Sequence, residues 1–528
     1  MDLQKAFDAT CKVLFGQELG RLQDFAPYLE EMMLPCQVKK SCVSGKDVSV
    51  SLFFYPQQAR YISQDEIGNF KLPPLNVNEI KDIDSLFEAV SERAVYCGNK
   101  QFGRNYEVAE VDNCVDSSAV FRAHNIFNVK YCAYSSYMRE SEHVFGATGF
   151  PGSAFSMRIM EGVGANRCFE TFYGKDLSQM YYSFNCIGCQ DCIFAFNLRS
   201  KRNIIGNLQL AKDEYARVSQ KLFSEMAEEL LRKKRLFSIA DIAFAGRDGR
   251  SIPEEKMAFD SPVPERVERA FRSTTKLVLG QERGGIGGYG PWLLSNAMQV
   301  KKIKGALGSP TYKIEGLPIV GKLPADRLVT LKEGLELSQK RAISLAPGEE
   351  PSLQGLLERV AKIAYFSVEF VDGQNDNCID TPTVFTGSNV YKLWDTTNSK
   401  NSAYSTGVIE SEYVFGGYLR ILRSQFCINC YDSTSLKGCF ELDGSYSSRD
   451  SYFCHNCENI SDCMFCFNSK SLQYAVGNTV VGKEQYLRVK KILLDHINSE
   501  LSAKKSLGIG IFSMPSGKTG TPVVKNRE

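Results

Sequence analysis

Histidine and tryptophan are scarce in this chain, with four and two among 528 residues. The four histidines (His124, His143, His455, His496) are scattered, and no H-E-x-x-H or phosphate-binding G-x-x-x-x-G-K-[ST] segment occurs. That removes the usual starting points for a histidine-based or nucleotide-dependent enzyme. Net charge is also nearly absent: 63 Lys+Arg against 61 Asp+Glu leaves +2, so no global field draws the chain to nucleic acid or an anionic membrane. No apolar run reaches the roughly 18 residues that span a bilayer. The opening MDLQKAFDATCKVLF lacks the basic end, apolar stretch and cleavage site of an export signal, so a cytoplasmic location and reduced thiols are expected.

What the chain has instead is self-similarity. Ala6-Phe7, Thr10, Lys12 and Gly16-Gln17-Glu18 return as Ala270-Phe271, Thr274, Lys276 and Gly280-Gln281-Glu282, at an offset of 264. Asn113-Cys114-Val115-Asp116 returns as Asn377-Cys378-Ile379-Asp380 at the same offset. Glu140-Ser141-Glu142-His143-Val144-Phe145-Gly146 matches Glu410-Ser411-Glu412-Tyr413-Val414-Phe415-Gly416 at 270, and Asp191-Cys192-Ile193-Phe194 matches Asp462-Cys463-Met464-Phe465 at 271. Matches in one order with slowly drifting offsets imply a tandem duplication.

The expected fold class is α+β, each half a β-solenoid flanked by helices. Copy 1 divides into a helix and strand region (1–95) and a Cys-rich tract with a closing helix (96–245). A Gly-, Pro- and charge-rich linker follows (246–265). Copy 2 repeats the plan over 266–364 and 365–510, and a flexible tail occupies 511–528. Helices are expected at about 3–15, 78–95 and 212–234, and again at about 266–279, 352–364 and 483–504, with a strand-like run at Val48–Phe54.

Cysteine is over-represented, with 18 residues. In the second tract, pairs spaced i, i+3 recur every nine residues: Cys427/Cys430, Leu436/Cys439, Ser445/Ser448, Cys454/Cys457, Cys463/Cys466. The first tract carries a weaker version at Ala165/Cys168, Gly174/Leu177, Ser183/Cys186 and Cys192/Ala195. Small side chains on a fixed beat suit the narrow interior of stacked strands, and two nine-residue faces give coils of about 18 residues. Asn, Asp, Ser and Gly between them suit corners.

The same beat admits zinc or an iron–sulfur cluster on Cys454, Cys457, Cys463 and Cys466, whose Cys-x-x-Cys spacing fits a Cys₄ site. Against it, at offset 271 Cys454 faces Ser183, Cys466 faces Ala195, and Cys189 faces Ile460. A metal site loses its geometry when a ligand is replaced, whereas a packed ladder loses only a little volume. The leading expectation is therefore no cofactor, with zinc as the alternative.

Asp191-Cys192-Ile193-Phe194 through Leu198-Arg199-Ser200-Lys201, then Asn207 and Lys212-Asp213-Glu214-Tyr215, resembles the closing segment of uncharacterised Cys/Asn/Tyr-rich repeat proteins predicted from candidate bacterial phyla. Cys463-Met464-Phe465-Cys466, Asn478 and Lys483-Glu484-Gln485-Tyr486 echo it. The resemblance implies the repeat architecture and no activity.

Other features read as structural. Gly284–Gly290 follows a helix, so it reads as a flexible loop, and Arg232-Lys233-Lys234-Arg235 reads as a helix terminus. Glu140/Glu142 and Glu410/Glu412 read as solvated strand positions. Tyr131, Tyr134, Tyr137, Tyr181, Tyr182, Tyr446 and Tyr452 either cover coil edges or line a recognition face. The functional expectation is a non-enzymatic structural or interaction protein. It is pseudo-dimeric, with a protein partner or self-assembly and no nucleic acid.

Overall fold

The computed structural model describes residues 3–52, 54–56, 58–245, 254–259 and 261–514. Phe53 of the expected strand run, part of the linker (246–253 and 260) and the tail from 515 lie outside the described residues. Helices and several open sheets alternate along the chain. Among the described residues no helix is long and apolar enough to cross a membrane.

The chain forms two compact units, each assembled from three separated stretches. Unit 1 comprises 1–36, 99–258 and 300–370, and unit 2 comprises 37–98, 259–299 and 371–528. The sequence-drawn segments run consecutively along the chain, whereas the units interleave along it.

Unit 1 is organised around ten strands that pair in chain order. Register is constant: Tyr106 pairs with Ser118, Ser118 with Lys130, Lys130 with Glu142, and Glu142 with Ala154, each parallel and 12 residues apart. The same step continues through Ser178, Gln190 and Arg202 before an antiparallel hairpin (Ile204 with Gln209) closes the run. Parallel strands normally need a crossover of a dozen or more residues. Here the whole return takes 12.

The backbone explains how. From Glu107 to Gly206 every third residue has positive φ. For a non-glycine residue that conformation costs about 1 kcal/mol or more, and β-branched residues tolerate it worst. No Val, Ile or Thr occupies these positions in the run, which is built from Asn, Asp, Glu, Tyr, Arg, Gly and similar residues. Their N–H groups are satisfied: those of Asn128, Tyr137 and Glu140 donate to the carbonyls of Val115, His124 and Phe127 at 3.0–3.1 Å. The residue after each bend faces the interior, so the core runs Val111, Cys114, Val120, Ala123, Ile126 and onward to Ile204 in multiples of three.

The expectation of coils of about 18 residues is thus corrected to a 12-residue return. Nine and 18 are both multiples of the underlying three, and closure falls after four triplets because every third residue bends.

Unit 2 repeats the pattern with one irregularity. Lys400 pairs with Glu412, and the sequence Gln425, Lys437, Arg449, Ser461, Gln473 continues in steps of 12, but Glu412 to Gln425 is a step of 13. The extra residue is absorbed where Leu419 and Arg420 both take positive φ. The drift in sequence offset from 270 to 271 falls at this point.

Helices cover each tract. Leu3–Phe15 ends at Gly16 (φ +77°), and Glu265–Leu279 ends at Gly280 (φ +74°), as expected of a glycine C-terminal stop. In unit 1, Phe7 meets Phe145 edge-on at 5.2 Å and Tyr181 Oη donates to Leu14 O at 2.7 Å. In unit 2, Phe271 meets Phe415 at 5.2 Å and Tyr452 Oη donates to Val278 O at 2.8 Å. The closing helices Lys212–Lys233 and Lys483–Lys504 bury Val218, Leu222, Met226, Leu230 and Val489, Leu493, Ile497, Leu501. Such a stripe at i, i+4 spacing contributes about 1.5–3 kcal/mol per fully buried side chain. The intermediate helices are shorter than expected, Ile83–Ser91 and Leu353–Ala361, each started by a side-chain cap from Asp82 or Ser352.

Candidate functional site

The cysteines sit where the triplet rule puts them. Cys186, Cys189 and Cys192 lie in the core of unit 1, and Cys427, Cys430, Cys439, Cys454, Cys457, Cys463 and Cys466 in that of unit 2. All 18 cysteines are free thiols, and only Cys36 is exposed.

Their polar contacts follow one pattern. Cys439 Sγ contacts the carbonyls of Lys437 and Ser448, both at 3.5 Å. Cys457 Sγ contacts those of His455 and Cys466 at 3.4 and 3.3 Å. Serine at an equivalent position does the same, since Ser399 Oγ donates to Thr397 O and Val408 O, both at 2.9 Å. In each case the carbonyls are those two residues before and nine residues after. Interior serines also accept the N–H 12 residues on, as Ser424 does from Leu436 at 3.0 Å and Ser445 from Cys457 at 3.3 Å. Thiol and hydroxyl therefore occupy one kind of niche.

The four residues singled out as metal ligands are neighbours in that interior. Cys454 makes sulfur contacts with Cys457 and Cys466, and Cys463 with Cys466. Burial pushes the Cys454 thiol well above its usual range, and its sulfur neighbours add to that. The bond to Cys466 and then burial do the same to Cys463. Its contacts with these two sulfurs lower the Cys466 thiol. Among the described residues no three His, Cys, Asp or Glu side chains form a group able to hold a metal ion. Elsewhere burial raises Cys132 and Cys168 to about 12. Cys189 is the exception: its contact with Cys186 brings it to about 7, but it is 1% exposed and closed to reagents.

The histidines are all engaged. His124 is buried with Nε2 3.0 Å from Leu34 O, and burial lowers its pKa. His143 stacks on Phe155 (4.4 Å) and meets the tilted ring of Tyr131 (4.8 Å). His496 lies 3.6 Å from Glu500. His455 belongs to a buried network that sequence reasoning missed. Its Nδ1 lies 2.7 Å from Asp443 Oδ2, which also accepts from Tyr55 Oη at 2.6 Å, and its Nε2 accepts the Cys97 N–H at 2.8 Å. With Nε2 occupied by a backbone donor, this ring cannot serve as a general base. The only sequence signal was the 12-residue spacing of Asp443 and His455. Tyr55 and Cys97 arrive from a distant stretch.

The remaining candidates divide. Of the seven tyrosines, Tyr134, Tyr181, Tyr182 and Tyr452 are buried, Tyr131 and Tyr137 half-buried, and Tyr446 exposed, so they do not make one recognition face. Glu140 and Glu142 are exposed, Glu410 pairs with Arg423 at 2.7 Å, and Glu412 accepts from Gln425 at 2.9 Å. In the basic run, Arg232 and Lys233 pair with Glu229, Lys234 Nζ donates to Leu19 O at 3.0 Å, and Arg235 lies 3.5 Å from Glu31. Gly284–Gly290 is more ordered than expected: Glu268 accepts the Gly285 and Ile286 N–H groups at 2.6 and 3.0 Å, and a short helical turn follows. A carboxylate already fills the place an anion would need.

Comparison of the chain with known protein families, with curated proteins and with solved structures returns no match.

Proposed function

We propose that this chain is a non-enzymatic structural or interaction protein made by tandem duplication of one β-solenoid unit. The observation that carries this reading is the shared niche of interior Cys and Ser, each bonded to the carbonyls two residues before and nine after. A thiol used this way needs no ligand. Paired contacts support the duplication: Asn197 Nδ2 donates to Tyr365 O and Asn468 Nδ2 to Val95 O, both at 2.8 Å. On this reading the stretch 37–98 of one copy packs with the other copy's tract, and 300–370 does the reverse. Reciprocal exchange is how swapped homodimers are built, so the chain is a covalent pseudo-dimer of Cys/Asn/Tyr-rich repeats. It acts as a rigid support for a protein partner or for self-assembly, in the cytoplasm and without nucleic acid.

The second reading is a zinc or iron–sulfur module on Cys454, Cys457, Cys463 and Cys466, favoured by the mutual sulfur contacts of these four. Elemental analysis of the purified full chain separates the two. The structural reading expects no stoichiometric zinc or iron. It also expects a variant with all four changed to Ser to keep its circular dichroism and oligomeric state. One equivalent of metal, lost in that variant along with the fold, establishes the module instead.

A further inference from the structure

Unit 2 contains a cavity of about 480 Å³ at the end of its strand tract, where Phe467 and Asn478–Val480 face the stretch 62–95. Its walls are mainly apolar, formed by Ile67, Phe70, Val95 and Phe467 among others, and two cations line it, Arg93 and Lys71. No Asp or Glu does.

Arg93 is the unusual member. It is 8% exposed, and its guanidinium donates to two backbone carbonyls, Gly477 O at 2.8 Å and Pro73 O. Neither Arg93 nor Lys71 has a carboxylate partner among the described residues. The exposed Glu92 acts on Arg93 only through space, and a buried charge hydrogen-bonded to neutral carbonyls alone is costly and is ordinarily matched by an opposite charge. Other polar groups of the wall are already used: Asn468 donates to Val95 O, Asn478 brackets the Phe467 backbone, and Thr479 Oγ1 accepts from Leu75 N.

Unit 1 shows what a closed version looks like. Its counterpart of Gly477 is Gly206 (477 − 206 = 271), with the same positive φ. There the Gly206 carbonyl accepts the Ile343 N–H at 2.9 Å, and the Ile343 side chain packs directly over the glycine. In unit 2 the Arg93 side chain takes that place over Gly477. One unit caps its glycine with an apolar plug. The other puts a cation there, beside a cavity.

We propose that the cavity of unit 2 binds an apolar carboxylate, with the anionic head on Arg93 and Lys71 and a body of roughly ten carbons against Ile67, Phe70 and Phe467. The guanidinium supplies a planar pair of donors for a carboxylate, and the volume lies within the range of small-molecule sites. Among the described residues Ile343 fills the equivalent place over Gly206 in unit 1, so the expected stoichiometry is one per chain.

The test is isothermal titration of the full chain with decanoate and, as a neutral probe of equal length, decanol. Saturable 1:1 binding of decanoate is expected, at least tenfold tighter than decanol. Arg93→Gln should bring decanoate to the level of decanol and leave decanol unchanged, while Ile67→Trp should abolish both by filling the cavity. Absence of saturable decanoate binding, equal affinity for both probes, two sites per chain, or an unchanged Arg93→Gln variant overturns the proposal. If Arg93→Gln does not fold, Lys71→Gln at the exposed rim decides with the probe comparison: a several-fold loss for decanoate alone supports the site, and no loss overturns it.

Discussion

Glu170 and Glu441 stand 271 residues apart in sequence (441 − 170 = 271), and each holds a backbone N–H group in its own unit. Glu170 Oε2 accepts the N–H of Ile239 at 3.3 Å, and Glu441 Oε2 that of Ile511 at 2.8 Å. Each thereby ties down the segment after a closing helix. The partners differ. Glu170 pairs with the fully buried Arg158, which also stacks on Tyr28 at 3.8 Å and reaches Glu31 at 3.2 Å. At the position 12 residues before Glu441 stands Asn429, which donates to it at 2.9 Å but brings no charge.

Burial therefore pushes the Glu441 carboxyl up to about 7, with only the Ile511 N–H and Asn429 opposing. The titratable groups around it are Tyr96, Tyr431 and Cys430, all neutral at that pH. A carboxyl raised above its unfolded value contributes stability that is complete below the ordinary carboxylate range and lost as pH rises through about 7. Thermal or urea unfolding from pH 5 to 8 should show a decline on the order of 3 kcal/mol that Glu441→Gln removes. An identical pH slope in the variant would count against this assignment.

The buried His455–Asp443 pair has an apolar counterpart in unit 1, where Phe172 and Phe184 stack at 6.3 Å. His455→Phe alone strands a buried carboxylate with only Tyr55 and should cost about 3–5 kcal/mol. Adding Asp443→Phe restores the apolar pair, so the double variant should be more stable than the sum of the single changes by at least about 1 kcal/mol. A chemical-denaturation cycle measures the coupling, and additive costs would refute it.

Asn459 is exposed and has φ +54°. With no side-chain contact at stake, the backbone alone decides the effect of substitution. Asn459→Val should destabilise by about 1–2 kcal/mol, and Asn459→Gly should be neutral or slightly stabilising. Urea midpoints of the two variants check the order.

At Cys439 the carbonyls of Lys437 and Ser448 await any small donor. Cys439→Ser should cost less than about 2 kcal/mol, whereas Cys439→Leu should cost about 1–3 kcal/mol through overpacking. On the structural reading the size effect should persist under reducing conditions and with chelator present. Loss of fold in the Ser variant alone would point to a special role for sulfur.

Much of the architecture was legible in residues. The opening helices end at Gly16 and Gly280, and the closing helices begin at Lys212 and Lys483, close to where periodicity and stop signals put them. The i, i+3 spacing of Cys427/Cys430 and Cys454/Cys457 carried the triplet, because one residue in three must be small or apolar and another must tolerate positive φ. Distant partners left no such mark. Nothing local at Asp443 announces Tyr55, nothing at Gly477 announces Arg93, and nothing at Cys97 announces His455.

Local sterics thus determined the rule of three, since the tolerance of each side chain for a left-handed bend is written in its own chemistry. Tertiary structure decided the closure after four triplets, the interleaving of 37–98 and 300–370 between units, and the cavity beside Arg93. Those depend on which surfaces meet, a property of contacts between residues hundreds of positions apart that no local pattern encodes.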